Sequence, residues 1–392
     1  MTKPDTDLII AGGGLAGATL ALALARMVPS LRVTVVEAFP LSPDALPESY
    51  QPSYDARSTA LAWGSRLIFE ELGLWQRLAE HATPIEHIHV SDRGHFGATR
   101  LHAAEHGQAA LGYVADNRWM GLCLMRELLD TNVCLVVADG GRSGLRERLG
   151  FRPDRHSYGQ NALIANVSTS DSHVFTAFER FTDAGPMALL PHGSPTRAGH
   201  QSALVWTLSD EVLQQVLALP DDEKCRWLQD RFGWRLGRFT RIGACHHYPL
   251  TLTTVDEPVR PGVALVGNAA HALHPVAGQG FNLALRGLMT LVEQFRLAEE
   301  HGRSIGDLEV LKRYQALHRE DWQQTVRFSD SLVRLFGHSM LPVAAARDAG
   351  LVGLDLLPGA KRWFARKAMG LGGRRAVIER PGNLNREAPA NE

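Results

Sequence analysis

Continuous apolar runs alternate with helical patterns at the start of the chain and again after its middle. Near the N-terminus, DLIIAGG predicts a buried parallel strand, and AGATLALALARM predicts the helix that follows it. LRVTVVEA predicts a second buried strand, so the chain opens with a β-α-β unit of a doubly wound sheet. GVALVGN has the same pattern and predicts a further buried strand, followed by a long helix from Gly280 to Glu300.

The middle of the chain has a different pattern. HIHVSDRGH and the stretch from Asn161 to Leu208 alternate between apolar and polar residues, which predicts short strands of a mainly antiparallel second domain. A helical pattern covers Ser58 to Ala79, and another begins at Asp307, with breaks at Pro342 and Pro358. The pattern as a whole predicts an α/β fold.

The composition is that of an ordinary globular protein. Of the 392 residues, 45% are hydrophobic and 21% are charged, and the length is sufficient for two domains. The formal net charge of −1 argues against nucleic acid as a partner, because neutralising phosphates requires an excess of basic residues. Four cysteines without CxxC spacing favour free thiols in a reducing cytoplasm. No targeting segment or bilayer-spanning apolar run is evident, so we expect a cytoplasmic protein.

A glycine pattern, Gly12-x-Gly14-x-x-Gly17, stands between the first strand and the first helix. Glycines here permit a tight turn, let the backbone approach a pyrophosphate and let the helix pack on the strand. Glu37 ends the second strand, where its carboxylate can accept hydrogen bonds from a ribose. The pattern predicts a dinucleotide site but does not separate FAD from NAD, and a glycine turn without a ligand stays an alternative.

Two further motifs follow along the chain. VVADGGRSGLR is an apolar strand that ends at Asp139 and Gly140, which on their own indicate only a turn. GNAAHALHPVAGQG follows the strand pattern GVALVGN, and its small residues would let the backbone lie against a flat ring. His271 and His274 of this stretch have no acid or cysteine nearby, so we expect no metal site.

The three motifs, in this order, resemble the aromatic-hydroxylase group of FAD-dependent monooxygenases. The resemblance implies that the first motif binds the ADP part of FAD and that Asp139 and Gly140 lie near the pyrophosphate and the nicotinamide route. YDARSTAL is similar to the family segment that places an arginine, here Arg57, beside the flavin. The ribityl chain and the isoalloxazine would be held by the third motif, through Gly267, Asn268, Pro275, Gly278, Gly280 and Asn282.

Other segments resemble the ubiquinone-biosynthesis hydroxylases within this family. They are HVSDRGHFG, FERFTDAGPMALLP, FGWRLGRFT and SDSLVRLF, together with Asn268 where the wider family has Asp. The Asn amide oxygen can accept the same hydrogen bond as the carboxylate. The resemblance implies hydroxylation of a polyprenylated phenol of the 2-octaprenyl-6-methoxyphenol type, with NADH or NADPH as electron donor and O2 transferred through a flavin C4a-hydroperoxide.

No single residue is identified as the general base. His271 is near the flavin by motif position, but a structural histidine is an equal interpretation. Pro275 would shape the ring pocket, and Arg57 would shape the flavin site. These three residues are the catalytic candidates.

The segment between Asn117 and Asp139 is shorter than in relatives, which carry a helix and then several strands before Asp139. The strand from Val133 to Ala138 should still join the parallel sheet, beside an exposed edge that a covering loop or an oligomer would protect. Two alternatives stay open. One is another ubiquinone-pathway or small-aromatic flavin hydroxylase. The other, which the shortened segment keeps open, is a non-catalytic FAD-binding subunit that assembles with other ubiquinone-biosynthesis proteins.

The resemblance and the patterns together imply a Rossmann-like FAD-binding domain, as in glutathione reductase and p-hydroxybenzoate hydroxylase, with an inserted β-sheet domain. The FAD-binding domain would comprise residues 1–78, 110–153 and 255–300, the substrate domain residues 79–109 and 154–254, the C-terminal helical region residues 301–375, and a disordered tail residues 376–392.

The C-terminal stretch Gly359 to Arg375 has six basic residues and no acid. With Trp363, Phe364, Met369 and Leu371 on a helix, it predicts peripheral contact with anionic lipid at the inner face of the cytoplasmic membrane. The alternative is a basic helix packed on its own domain.

Overall fold

A computed structural model of the chain describes residues 6–37, 50, 53, 57–137, 145–272, 278–337, 350 and 352–376. The helices are α1 (Leu15–Met27), α2 (Trp63–Glu71), α3 (Trp75–Ala79), α4 (Asn117–Leu129), α5 (Leu145–Arg148), α6 (Asp210–Ala218), α7 (Asp221–Phe232), α8 (Gln279–Glu300), α9 (Leu308–Gly337) and α10 (Pro358–Ala368). The strands are β1 (Leu8–Ala11), β2 (Val33–Glu37), β3 (Ser58–Ala62), β4 (Ala82–Ile85), β5 (His87–Asp92), β6 (Ala98–His102), β7 (Gly112–Asp116), β8 (Cys134–Val137), β9 (Asp154–Thr169), β10 (Thr176–Thr182), β11 (Gly185–His192), β12 (Gln201–Ser209), β13 (Phe239–Ile242), β14 (His246–Thr254), β15 (Val259–Arg260), β16 (Val263–Ala264) and β17 (His271–Ala272).

The described strands form four sheets. A parallel sheet has the order β1-β2-β8. A large mixed sheet has the order β17-β14-β9-β12-β11-β10-β5-β6, and β13 pairs with β9. A small antiparallel sheet, β3-β7-β4, and the hairpin of β15 and β16 complete the set. The α/β class expected from the sequence is confirmed.

The parallel sheet and α1 form the main hydrophobic core. The buried leucines of α1, among them Leu20, Leu22 and Leu24, lie on several sides of the helix because α4 and α8 both pack against it. α8 contributes Leu285, Leu288 and further apolar residues to this core. The arrangement fixes the N-termini of α1 and α8 relative to each other.

The large sheet has two different faces, here called outer and inner. On the outer face, Leu163, Met187 and Trp206 pack under α6 and α7, against residues such as Leu213 and Phe232. Side chains alternate along a strand, so the intervening residues of β9 to β12 point to the inner face. That face meets the small β3-β7-β4 sheet.

The segment GVALVGN differs from the expected strand of the parallel sheet. Only Val263 and Ala264 form a strand, and they pair with Arg260 and Val259 of β15. Gly262, at φ +71°, permits the tight turn between the two short strands. The expectation is wrong here because a local hairpin uses the backbone groups that a parallel neighbour would have needed.

Other local expectations are corrected. The helical pattern from Ser58 begins as strand β3, because Ser58–Ala62 pairs with β7. Pro358 opens α10 and does not break a helix, since the first helical position needs no N–H donor. Ala376, expected in the tail, is 8% exposed and packs in the main core. Pro342 and residues 377–392 lie outside the described residues.

The short connection before β8 leads directly into the parallel sheet. Cys134 pairs with Thr34 of β2, so the expected strand joins that sheet, as predicted. Among the residues that the structure describes, β8 is an edge strand of this sheet, next to β2. On the side of β1 away from the helices, Ile9 is 60% exposed and Ala11 is also exposed. β1 thus presents two apolar side chains to solvent on this face.

We expect this face to support reversible self-association. Ile9→Thr keeps a β-branched residue but removes apolar area, and burying an isoleucine contributes about 1.5–3 kcal/mol. The substitution should therefore weaken the association constant about tenfold or more in sedimentation velocity. Phe96→Ser, at a fully exposed position in the turn between β5 and β6, is the matched control. An Ile9→Thr protein that associates as strongly as its parent would contradict the expectation.

Candidate functional site

The first glycine-rich loop joins β1 to α1. Gly12 has φ +107°, which glycine adopts without steric cost. A Cβ on Gly17 would lie 1.9 Å from the carbonyl oxygen of Gly12, so only glycine lets α1 pack so closely on the strand end. A Cβ on Gly12 or Gly14 would meet no atom of a described residue within 4 Å. Among the described residues, none therefore fills the space beside the loop backbone.

The N-terminus of α1 offers hydrogen-bond donors to that space. Gly14 is the capping residue, and no side chain in the described part of the chain caps the first turn. Uncapped N–H groups and the positive end of a helix dipole favour a bound phosphate. Glu37 reaches the same loop, because the N–H of Gly13 donates to its Oε2. The structure thus brings together the glycine pattern and the carboxylate that the spacing predicted.

The second glycine-rich stretch approaches the same helix end. Gly267, at φ +56°, begins a 3-10 turn that ends at Ala269, and a Cβ on Gly267 would lie 3.5 Å from the Cβ of Ala16 in α1. The side chain of Asn268 is exposed and makes no hydrogen bond with any described residue. Arg146 Nη1 donates to the carbonyl oxygen of Ala269 over 3.1 Å, which ties the segment after β8 to this turn.

Asn282 joins the start of α8 to β3. Its Oδ1 accepts from the backbone N–H of Ala62, at 2.8 Å, and from Ser65 Oγ, at 2.7 Å. Its Nδ2 donates to the carbonyl oxygens of Ala60, at 2.9 Å, and Gly278, at 2.8 Å. All the usual hydrogen-bonding positions of the amide are occupied by protein groups. The contribution of Asn282 to the site is to hold the loop in place.

Gly278 and Gly280 lie at the N-terminus of α8. Gly278 has φ +60°, and a Cβ there would lie 3.2 Å from the Cβ of Ala60. A Cβ on Gly280 would meet no atom within 4 Å among the residues that the structure describes. The start of α8 is therefore close to β3 on one side, and no described residue closes the other side.

Arg57 links the small sheet to the large one. It precedes β3, and its carbonyl oxygen accepts from the N–H of Asn117 at 2.9 Å. Its Nη1 donates to the hydroxyl of Tyr248 on β14 at 2.6 Å. Tyr248 pairs with Ala162 of β9. The next residue of β9, Leu163, belongs to the outer face, and side chains alternate along a strand, so Ala162 and Tyr248 point to the inner face. The guanidinium expected beside the flavin therefore lies at the inner face.

His271 is directed at α9. Its ring stacks on Trp322, with centroids 4.4 Å apart, and lies 6.1 Å from the ring of His318. Burial lowers the pKa of His271 to about 3, with a smaller contribution from His318, so the ring is neutral at pH 7. A Cβ on Gly287 would lie 2.8 Å from His318 Nε2, so glycine makes room for this cluster. Of the two interpretations of His271, these contacts favour the structural one.

Some expected site residues lie outside the described residues, namely Asp139, Gly140, His274 and Pro275. Among the residues that are described, no three His, Cys, Asp or Glu side chains are grouped as a metal site would require. Within the same part of the chain, no helix is both long and apolar enough to cross a membrane.

Sequence reasoning missed Tyr248 and assigned Asn282 differently. The contact of Tyr248 with Arg57 joins residues 191 positions apart, and no local pattern marks such a pair. Asn282 belongs to a recognised motif, but its four partners become evident only when β3 lies against α8. Arg146 lies in the second motif, where the sequence indicates no partner for it, and its contact with Ala269 is also a tertiary feature.

Comparisons with known proteins identify a family. A family model described as an FAD binding domain matches residues 134–329. The ubiquinone hydroxylase UbiL of Rhodospirillum rubrum is 36% identical, with 93% of this chain and 89% of that protein aligned. The 3-demethoxyubiquinol 3-hydroxylase of Escherichia coli is 28% identical over 95% of this chain and 100% of its own.

Among solved structures, p-nitrophenol 4-monooxygenase PnpA from Pseudomonas putida DLL-E4 superposes with a TM-score of 0.73. The superposition covers 94% of this chain and 99% of that one, at 18% identity. At that identity the similarity establishes the fold.

We expect Asn268 and Asn282 to affect the site in different ways. Asn268→Leu should weaken FAD binding by about 1–3 kcal/mol, if a ribityl hydroxyl loses its partner, while Asn268→Asp should retain it. The apoprotein should melt at the parent's temperature in both cases, because Asn268 is exposed and makes no hydrogen bond with a described residue that the fold would lose.

Asn282→Leu should lower both FAD affinity and the melting temperature of the apoprotein, since it leaves buried backbone groups without partners. Calorimetry of the apoprotein and fluorescence titration with FAD measure the two quantities. Equal FAD affinity in Asn268→Leu and the parent would show that Asn268 is not a ligand.

Proposed function

The chain belongs to the FAD-dependent aromatic-ring monooxygenases, and from this premise we propose that it hydroxylates a polyprenylated phenol of the 2-octaprenyl-6-methoxyphenol type in ubiquinone biosynthesis. The enzyme uses FAD, and NADH or NADPH is the electron donor of the family. The observation that carries the proposal is the 36% identity to a ubiquinone hydroxylase over 93% of the chain.

The described residues fit FAD. The first loop has open space next to uncapped helix N–H groups, and the second loop presents an exposed amide near the same helix. We assign the pyrophosphate to Gly12, Gly14 and Gly17 with Asp139 and Gly140 nearby, the ribose to Glu37, the ribityl chain to Gly267 and Asn268, and the isoalloxazine to Pro275, Gly278 and Gly280 with Arg57 beside it.

Bound FAD supplies the redox chemistry, by taking a hydride from NAD(P)H and activating O2 for transfer to the ring. The protein orients the substrate and excludes water. The positive N-terminus of α8, which begins at Gln279, favours negative charge on an adjacent reduced ring. The hydrogen bond to Tyr248 fixes the guanidinium of Arg57 at the inner face, where the substrate ring would lie.

The first test is cofactor content and turnover. Purified protein should be yellow and release FAD on heating, and Glu37→Arg should bind FAD more weakly, because a ribose acceptor is replaced by a bulky cation. A prenylated 2-methoxyphenol should stimulate NAD(P)H oxidation and gain one oxygen atom by mass spectrometry. Protein that binds FAD but hydroxylates neither this phenol nor a small unprenylated phenol would support the scaffold alternative, and colourless protein that FAD cannot reconstitute would refute both.

We also propose a lipid contact, at a surface that differs from the expected one. In α10 and the turn after it, Phe364, Met369 and Leu371 pack against Trp63 and Leu101, so the expected apolar face is internal. The exposed large apolar side chains nearby are Leu356, Leu357 and Trp363, which are 73%, 60% and 58% exposed. A practically insoluble polyprenyl phenol must be collected from a bilayer or a carrier, and these side chains are suited to a lipid interface.

Two cations accompany this apolar group. Arg362 and Arg366 are exposed and are paired with no carboxylate of a described residue. Lys361 and Arg374, in contrast, pair with Glu105 and Glu293. Arg362 and Arg366 are therefore available to anionic headgroups, each contributing about 1 kcal/mol near such a surface.

We expect the protein to sediment with phosphatidylglycerol vesicles, more weakly with phosphatidylcholine vesicles, and less in high salt, since salt screens the arginine contribution. The double variant Leu357→Ser, Trp363→Ser should lose most of this binding while keeping FAD. Point variants are used because truncation before Ala360 would remove Ala365 from a buried cluster. Trp234→Ser, at another exposed tryptophan, is the control. Undiminished vesicle binding by the double variant would place any contact elsewhere.

A further inference from the structure

Three sequence segments that the cofactor site does not use meet on the outer face of the large sheet. HVSDRGHFG contains most of β5 and the turn to β6, FERFTDAGPMALLP runs from β10 into β11, and FGWRLGRFT follows α7. Together with β6, these segments bring three guanidinium groups close to one another, those of Arg100, Arg180 and Arg235. The contacts around these groups indicate a binding site for an anion.

The strand register fixes Arg100 and Arg180 on the outer face. Phe178 of β10 lies on that face, because its ring packs on Phe232 of α7 with the ring centroids 5.5 Å apart. His89 of β5 pairs with Phe178, and Arg100 of β6 pairs with His89. Paired residues of neighbouring strands share a face, and Arg180 is two positions from Phe178 on the same strand. His89 and both arginines therefore point to the outer face.

Two hydrogen bonds hold the guanidinium of Arg180 in place. Its Nε donates to the carbonyl oxygen of Arg231 near the end of α7, at 3.1 Å, and its Nη1 donates to Ser91 Oγ on β5, at 3.2 Å. A guanidinium has five N–H groups, so these bonds occupy only part of it. Arg180 is therefore positioned by the protein and still has donors for a ligand.

Arg235 approaches the same place from the loop after α7. The next residue, Leu236, packs in the outer-face core, and its carbonyl oxygen accepts from the N–H of Asp171 at 3.2 Å, which anchors the loop. Burial lowers the pKa of Arg180 and of His89, and the positive charge of Arg235 lowers both further. The side chain of Arg235 therefore lies close to both strands.

The group of arginines has little compensating negative charge. Arg100 and Arg235 are exposed and make no ion pair with any described residue. Asp183 is paired with Arg93, and Asp92 is the carboxylate that acts on the third arginine of the group. Like charges held close together disfavour each other's charged forms. An anion bound between the guanidinium groups would remove this repulsion.

A buried imidazole beside the arginines gives an independent indication. His89 is 9% exposed, and its Nδ1 has no hydrogen-bond partner among the described residues. A buried polar atom without a partner costs free energy, which a bound ligand or water would recover. Burial, together with the neighbouring arginines, lowers the pKa of His89 to about 4, so the ring is neutral at pH 7. A neutral ring has one N–H to donate to an anion.

We propose that Arg100, Arg180 and Arg235 bind a phosphoryl group, with His89 beneath it. Planar guanidinium groups match the oxygens of a phosphate with paired hydrogen bonds, so the ligand class is a phosphomonoester or a diphosphate. The site is separate from the proposed hydroxylation, because it lies on the face opposite to the contact of Arg57 with Tyr248. Such a phosphoryl group belongs either to a dissolved compound or to a lipid headgroup.

The test uses the full chain loaded with FAD and inorganic pyrophosphate as probe. FAD occupies the glycine loop at the start of α1, so the probe cannot bind there. In titration calorimetry at constant ionic strength, the parent should bind the probe, and the affinity should fall as NaCl is raised. The melting temperature should rise with pyrophosphate, because a ligand that binds the folded state stabilises it.

Arg100→Gln and Arg235→Gln should each lower the affinity for pyrophosphate about tenfold or more, because each removes a charge-assisted hydrogen bond. Without pyrophosphate, both variants should melt at the parent's temperature or above it, since one like charge is gone. This combination separates loss of a ligand site from damage to the fold.

Arg238→Gln is the matched control, with the same change of charge at an exposed arginine just before β13. Arg238 is not among the residues whose charge lowers the pKa of His89. The control variant should bind pyrophosphate as the parent does.

Vesicles that contain phosphatidic acid, whose headgroup is a phosphomonoester, separate the two sources of the phosphoryl group. If the double variant Arg100→Gln, Arg235→Gln loses both vesicle binding and pyrophosphate binding, the site takes a lipid headgroup. If it loses only pyrophosphate binding, the site takes a dissolved phosphate compound.

Three results would overturn the inference. They are a parent that does not bind pyrophosphate, an affinity that is unchanged in both arginine variants, and a loss in Arg238→Gln as large as that in Arg235→Gln. The last result would show that binding follows net charge and not a site. None of them affects the proposed function, which cofactor content and hydroxylation test separately.

Discussion

The candidate site depends on one buried amide. Asn282 makes four hydrogen bonds that tie the start of α8 to β3, and so fix the turn at Gly278 against Ala60. Arg57 immediately precedes β3, so the same clamp sets where its guanidinium meets Tyr248. A buried amide with all its partners gives a unique arrangement, because every alternative leaves polar groups unpaired. The turn at Gly278 and the adjoining part of the inner face are therefore positioned by Asn282, whose amide is fully hydrogen-bonded to protein groups.

Three buried titratable groups fall into two kinds. His271 and His318 are neutral and packed with aromatic rings, so burial imposes no charge on the core. Glu179 is also desolvated, yet it has neither an aromatic stack nor a charged partner among the described residues. An acid whose ionised form is disfavoured lowers stability at neutral pH, and such a cost is typical of functional positions. The histidine of the motif is thus packed as a structural residue, whereas burial of the Glu179 carboxyl is compensated by no charged partner among the described residues.

At the two ends of the chain, packing decides which apolar side chains are buried and which stay exposed. The C-terminal helix is amphipathic by sequence, but Ala365 and Met369 are used to cover Trp63 and Leu101. The apolar side chains that remain available to lipid are those of Leu357, just before α10, and of the exposed Trp363. At the N-terminus, Ile9 is exposed on a strand whose pattern is that of a buried one. In both places the exposed apolar area is decided by which neighbours are present.

The sequence by itself determined the α/β class, the first β-α-β unit, the glycine loop with Glu37 and the long helix after the second loop. These features depend on local patterns, in which hydrophobic period, turn residues and helix start lie within about twenty residues. It did not determine that GVALVGN begins in a hairpin, that His271 points to Trp322, or that Tyr248 holds Arg57. Those outcomes, and the face on which Arg100 and Arg180 lie, depend on pairing between segments far apart in the chain. Only the tertiary structure decides them. The energy of a hydrogen bond or of a buried charge depends on its partners, and here those partners are distant in sequence, so no local pattern reveals them.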